Sequence, residues 1–426
     1  MVRGISSYIL SMFISPVILL IAAFRQSNRN LKKWVLIIFI TFFGSLIFLS
    51  PGTDGYVHRK NVSEHYIGLG FGQFLEEIGR QLTFQQTPGV QDEPFIHILS
   101  FVVGALRVPG LFFTLVAFIF AYFYVGSLFR LFEIYPTWKR SKVFFLYALV
   151  FVLFMGVQQI NQIRTGVGFW VLFYACLSYY QTKKIKYLLL MFVPPFIHIG
   201  YWAMALPAWG VLILGNWKWI YSVIFFLSFT SQLVNPSTVT NQMEKTEIGK
   251  SKVKGYSVEE KATSEQVLKA YGNTNWYKKY AKLGLQVWGV NVIAIILIIF
   301  GTYFSGMNKL ESRLFSTGIL TVSLSNLSWF LYALKNRSAA VGMVFILATL
   351  LLLWQRGYFN SSINKVKNQL FAIRVLITLF IFVIIFNVSE LIQLLSIFLF
   401  FAPFIPWIVE EMNVSIRGFI GLIGGF

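Results

Sequence analysis

The sequence predicts an all-α, polytopic membrane protein with about 13 transmembrane helices, each needing about 20 apolar residues to cross a bilayer. Three observations carry that prediction. Of 426 residues, 57% are hydrophobic and 18% aromatic, but only 12% are charged, roughly half of the ~25% usual in a soluble domain. The apolar residues gather into long runs, and the basic residues gather in the short segments between them. No single globular core could bury so many aromatic side chains, which excludes soluble, disordered and nucleic-acid-binding classes. The net charge of +20 therefore reads as a topology signal and an attraction to anionic lipid. A single cysteine, Cys176, excludes an internal disulfide and a cysteine-based metal cluster.

The spans fall at 5–24, 34–50, 110–131, 143–157, 166–180, 187–199, 203–215 and 219–234, then at 283–304, 314–334, 339–354, 371–387 and 391–409. Residues 1–426 thus form one transmembrane domain. Lys and Arg concentrate in cytoplasmic loops, so Arg25, Arg29, Lys32 and Lys33 place the first loop inside. Lys139, Arg140 and Lys142, then Lys183, Lys184 and Lys186, and later Arg356, Lys365 and Lys367 mark further cytoplasmic loops. By parity the N-terminal tail lies outside and the C-terminus inside.

The same parity makes 51–109 the first extracytoplasmic segment. Within it, Phe71, Phe74, Leu75 and Ile78 share one helical face, the pattern of an amphipathic helix lying in the interface. One crossing too many would separate 51–93 from the basic loop at 132–142 unless 95–106 is a short re-entrant or juxtamembrane helix ended by Pro109-Gly110. Such backbone is tolerated only beside a protein-walled or water-filled cavity, so a cavity is expected beside Glu93-Pro94. Residues 235–282, with nine Lys and five Glu, form a long polar extracytoplasmic loop. No repeat with a solenoid period is present.

Ionisable groups near a bilayer are costly and mark function. This topology brings several of them to the outer face: Asp54, Tyr56, His58 and Arg59 after the second span, Glu93 at the re-entrant helix, and Gln159, Asn161, Gln162 and Arg164 at a helix junction. His198 and Asn336-Arg337 complete the set. Singly, each has an ordinary role as a cap, a snorkelling cation or a satisfied buried histidine. Together they suit an anionic, lipid-linked substrate. Arginine offers paired donors to pyrophosphate, and a carboxylate or histidine can serve as general base to a hydroxyl. There is no HExxH, P-loop or GxSxG pattern to support protease, nucleotidase or serine hydrolase chemistry.

Asp54-Gly-Tyr56 after an early span, Glu93-Pro94 opening an apolar helix, Asn161-Gln-Ile-Arg164 opening another, His198 and Asn336-Arg337 resemble the EpsG/Wzy-like family of integral-membrane polysaccharide polymerases. The resemblance runs over about 50–340 and is similar in plan to multispanning GT-C glycosyltransferases. It implies transfer of a glycan from undecaprenyl pyrophosphate to a sugar hydroxyl of another lipid-linked repeat unit, at the outer face of the bacterial cytoplasmic membrane. Asp54, Glu93 and His198 would be the catalytic groups. Arg164, Arg337, Tyr56, His58, Arg59, Gln159, Asn161, Gln162 and Asn336 would bind substrate or pyrophosphate. No cofactor is expected and no metal ligands are assigned, with dependence on a divalent metal left open. Expected partners are undecaprenyl-pyrophosphate-linked oligosaccharides, membrane lipids and, as a candidate, a chain-length regulator. A membrane glycosyltransferase or glycan ligase making one transfer, and a lipid-linked glycan flippase, are the competing readings.

Overall fold

In the computed structural model, the described residues are 14–25, 28–49, 54–83, 85, 93–135, 142–233, 241, 244–245, 287–360, 364–408 and 413–424. Apart from isolated bridges, their regular secondary structure is helical. In chain order the helices are α1 (Pro16–Arg25), α2 (Arg29–Ser45), α3 (Asp54–Asn61), α4 (Phe71–Leu82), α5 (Pro94–Leu106), α6 (Leu111–Glu133) and α7 (Lys142–Phe154). Next come α8 (Ile163–Thr182), α9 (Ile185–Leu190), α10 (Pro194–Ile197), α11 (Tyr201–Met204), α12 (Leu206–Leu214) and α13 (Lys218–Leu227). The last group is α14 (Val290–Ile299), α15 (Lys309–Leu327), α16 (Tyr332–Gln355), α17 (Asn364–Leu394), α18 (Ile405–Ile408) and α19 (Ile416–Gly424). The polar loop expected at 235–282 lies almost wholly outside the described residues, as do Asp92 and the basic residues Lys139 and Arg140.

Three described helices are long and apolar enough to cross a membrane: α6, α16 and the stretch Val366–Leu394 of α17. The chain is a membrane protein in which α16 forms the axis, its apolar window wholly buried against α7, α8, α14 and α15. Helices α15 and α16 form the most extensive pair. Gly342 permits this closeness, because a Cβ there would stand 2.9 Å from the Gly318 carbonyl oxygen and 2.7 Å from Val322 Cγ2. Small residues let membrane helices meet backbone to backbone.

Polar contacts fix the ends of this pair. The Asn308 side chain accepts from the Glu311 N–H at 3.0 Å, and Glu311 accepts from the Asn308 N–H at 2.8 Å, a reciprocal cap that starts α15. Glu311 is fully buried and also takes a two-pronged contact from Arg356, Nε to Oε1 and Nη2 to Oε2, both 2.9 Å. The start of α15 is thereby clamped to the end of α16.

Two sequence expectations change. The spans read at 187–199 and 203–215 are broken helices, α9–α10 and α11–α12, meeting at His198–Gly200. The span read at 391–409 is not a crossing. α17 runs on to Leu394, Ile397 N–H bonds the Val414 carbonyl, and Ile416 N–H bonds the Leu395 carbonyl. Ser396 bridges Ser415, so the chain leaves and returns at one point. Pro403 and Pro406 are incompatible with a continuous helix interior. Without that crossing, parity no longer brings the C-terminus inside.

Candidate active site

Four of the singled-out residues meet although they lie on four separate elements. Glu93 is the N-cap of α5, which Pro94 starts without needing an N–H donor. Arg164 lies in the first turn of α8, His198 follows α10, and Arg337 stands in the second turn of α16. Arg164 Nη1 donates to both Glu93 oxygens, at 2.8 and 3.1 Å. His198 Nδ1 is 3.1 Å from Glu93 Oε1, and Arg337 Nη1 is 2.7 Å from His198 Nε2.

Proton bookkeeping fixes the state of the ring. Arginine can only donate, so Nε2 accepts and the single imidazole proton resides on Nδ1, which donates to Glu93. His198 is therefore neutral, with its basic nitrogen covered by Arg337. The Glu93 carboxyl is held down at about 2 against an ordinary 4.5: burial opposes its charge but is outweighed by the His198 hydrogen bond and the Arg164 charge. With Glu93 at 1% and His198 at 3% exposure, this is an interior relay rather than a surface ion pair.

A second polar cluster holds α5 in place. Tyr66 Oη and His97 Nδ1 are 2.7 Å apart, and Phe74 of α4 stacks on His97 and on Phe101, with centroids 4.9 and 4.1 Å apart. Glu77 of α4 reaches His65 at 3.3 Å and His97 at 3.6 Å. Of the apolar face expected on α4, Phe74 is buried, whereas Phe71 and Leu75 are exposed and Ile78 is half-buried. Sequence reasoning passed over Tyr66, Glu77 and His97; the available signal was an i, i+3 Phe74–Glu77 pair on an amphipathic helix.

The remaining singled-out residues surround the relay less directly. Asp54 opens α3, and its side chain lies outside the described residues. Its neighbour Gly55 abuts the Asn161 side chain: a Cβ there would stand 2.7 Å from Asn161 Oδ1, 2.8 Å from Leu49 Cδ2 and 3.0 Å from Phe113 Cζ. His58 is buried, while Tyr56 is 39% exposed. Gln159 is half-buried, Gln162 is exposed at the start of α8, and Asn336 is half-buried beside Arg337. A cavity of about 620 Å3 takes in Arg59 and lies at the far end of α5 from Glu93, by Val108 and Gly110.

A family model for EpsG matches residues 75–409, most of the chain and all four relay residues. The chain belongs to the EpsG family. Among curated proteins and among solved structures, nothing matches it. Membership gives this EpsG-family protein a general role in polysaccharide polymerisation in a membrane. Among the described residues no group of three or more His, Cys, Asp or Glu is placed to hold a metal ion. The relay's own donors, two guanidinium groups around a carboxylate and an imidazole, suit an anion.

Proposed function

We propose that this protein is a repeat-unit polymerase. It transfers a glycan from undecaprenyl pyrophosphate to a sugar hydroxyl of another lipid-linked repeat, at the outer face of the bacterial cytoplasmic membrane. The observation that carries the reading is the Arg164–Glu93–His198–Arg337 relay, which couples two guanidinium cations to a neutral imidazole.

An arriving pyrophosphate draws Arg337 off His198, because a guanidinium binds phosphate through stronger charge-assisted bonds than it makes to an imidazole. That uncovers Nε2 for the acceptor. The hydroxyl proton passes to Nε2 while its oxygen bonds the anomeric carbon. The bond from that carbon to undecaprenyl pyrophosphate breaks, its electron pair leaving with the pyrophosphate oxygen of the lipid carrier. Glu93 holds Nδ1–H and stabilises the imidazolium that forms, and the two arginines balance the charge of the leaving group. Asp54, Tyr56, His58, Gln159, Asn161, Gln162 and Asn336 serve as sugar-orienting or phosphate-contacting groups around this centre. Base capture thus follows donor binding, which guards against premature hydrolysis.

Alanine at Arg164 or Arg337 should abolish long polymer and leave single lipid-linked repeats to accumulate, with the protein still inserted and cooperatively folded. Polymer of normal length in both variants overturns the proposal. In a purified reaction a ladder marks polymerisation, whereas one discrete addition marks a single-transfer ligase.

A further inference from the structure

The cavity beside Arg59 of α3 is not used by the relay chemistry. Its walls come from the end of α2 and the residues after it, the start of α6, and Pro406 and Asn413. Phe42, Ile47, Leu49, Leu111 and Phe113 make much of the lining, and Arg59 is the one cationic side chain among the lining residues. Val108 and Leu111 line it and are also exposed, at 47% and 36%. The cavity therefore reaches the molecular surface through an apolar rim, as access from lipid rather than from water requires. At about 620 Å3 it falls within the ~300–1,000 Å3 range of pockets that enclose an organic ligand.

Its position ties it to the relay. Gly55 and Arg59 are four residues apart on α3 and so share a face. Leu49 and Phe113, both cavity-lining, touch the Gly55 position that also abuts Asn161. Asn161 Oδ1 is buried without a described hydrogen-bond partner, three residues before Arg164. An apolar channel, a cation at its wall and an unsatisfied acceptor thus follow one another toward the relay.

We infer that this cavity holds the first isoprene units of a polyprenyl phosphate, with its phosphate at Arg59. The inference rests on the polymerase reading for its choice of lipid and adds where the lipid lies. An apolar tail enters past Val108 and Leu111, and the headgroup is delivered along α3 toward Asn161 and Arg164.

The test uses the purified full chain in nanodiscs and a photoactivatable polyprenyl monophosphate carrying no sugar, so that binding is read without transfer. Adducts should map by mass spectrometry to 41–49 and 108–114. Excess unlabelled undecaprenyl phosphate should suppress them and phosphatidylglycerol should not. Gly110→Phe fills the cavity from a position where an added Cβ meets nothing within 4 Å, and should remove these adducts while leaving the melting temperature unchanged. Arg59→Gln should raise half-saturation by about tenfold, the worth of one charge-assisted hydrogen bond. Adducts confined to other helices, or equal competition by phosphatidylglycerol, would overturn the inference. Loss of polymer in cells is a separate readout: if the probe labels 41–49 and 108–114 but Arg164→Ala and Arg337→Ala both still make polymer of normal length, the relay-based polymerase reading fails and the lipid site stands.

Discussion

His198 supplies two nitrogens with opposite duties, and each can be tested separately. Glutamine at 198 can still accept from Arg337 but cannot take a proton at neutral pH. His198→Gln should therefore keep the fold while lowering elongation by about 100-fold or more, within the range usual for loss of a general base, as read from ladder formation in a purified reaction. Arg337→Lys keeps the charge but loses the planar fork. Glu93 adds a pH signature. Its folded value of about 2 lies below the ordinary 4.5, so its stabilising contribution is complete above about 4.5 and is lost as pH falls toward 2. The gap in melting temperature between the native protein and Glu93→Gln should be constant from pH 8 to 5 and close below that. A gap that instead opened on acidification would contradict an ionised Glu93. At this scale the sequence disclosed the relay well, because a carboxylate, two arginines and a histidine at the ends of apolar runs are conspicuous. Tyr66 and His97 were not legible, since a tyrosine and a histidine 31 positions apart in apolar surroundings carry no sign that they hydrogen-bond.

Among the elements, α4 and the α15–α16 pair make different predictions. α4 is held by Phe74 and Glu77 while Phe71 and Leu75 stay exposed. Phe74→Ala should therefore speed amide exchange across 71–82 without lowering the global melting temperature comparably, and uniform exchange changes throughout the chain would refute that local docking. The α15–α16 clamp joins a fully buried carboxylate to a partly exposed guanidinium, and removing Arg356 strands the buried charge, which costs up to ~3–5 kcal/mol. Arg356→Leu should be strongly destabilising, and adding Glu311→Leu should recover much of the loss, a coupling that a double-mutant cycle in denaturant measures directly. Helix existence was readable from hydropathy, but not what each helix does at its end. The run 391–409 is as apolar as its neighbours, and only Pro403, Pro406 and the Ser396–Ser415 bridge distinguish a folded-back segment from a crossing. The pieces at 185–214 were legible as weak spans for the same reason: length, not composition, is what they lack.

Across the whole molecule, helix lengths set the depth of the site. The broken apolar stretch Ile185–Ile197 would rise only about 20 Å even if wholly helical at 1.5 Å per residue, short of the ~30 Å hydrocarbon core. In the proposed orientation, a hairpin of that height, starting beside Lys183, Lys184 and Lys186, would end with His198 below the opposite interface. The proposed orientation would recess the relay, which suits a lipid delivered along α3 better than a soluble sugar donor. On α16, Arg337 and Arg356 are 19 positions apart, about 28 Å along a helix, so the relay and the Glu311–Arg356 clamp sit at opposite ends of one membrane-wide axis. The proposed orientation makes a direct prediction on α8, whose exposed flanks are Gln162 and Lys184. Cys176 is buried and does not compete for a polar thiol reagent. In right-side-out membrane vesicles a membrane-impermeant maleimide should label Gln162→Cys before lysis, and Lys184→Cys only after it. The reverse order would place the relay on the cytoplasmic side, where lipid-linked repeats are assembled rather than joined, and the polymerase reading would lose its geometry.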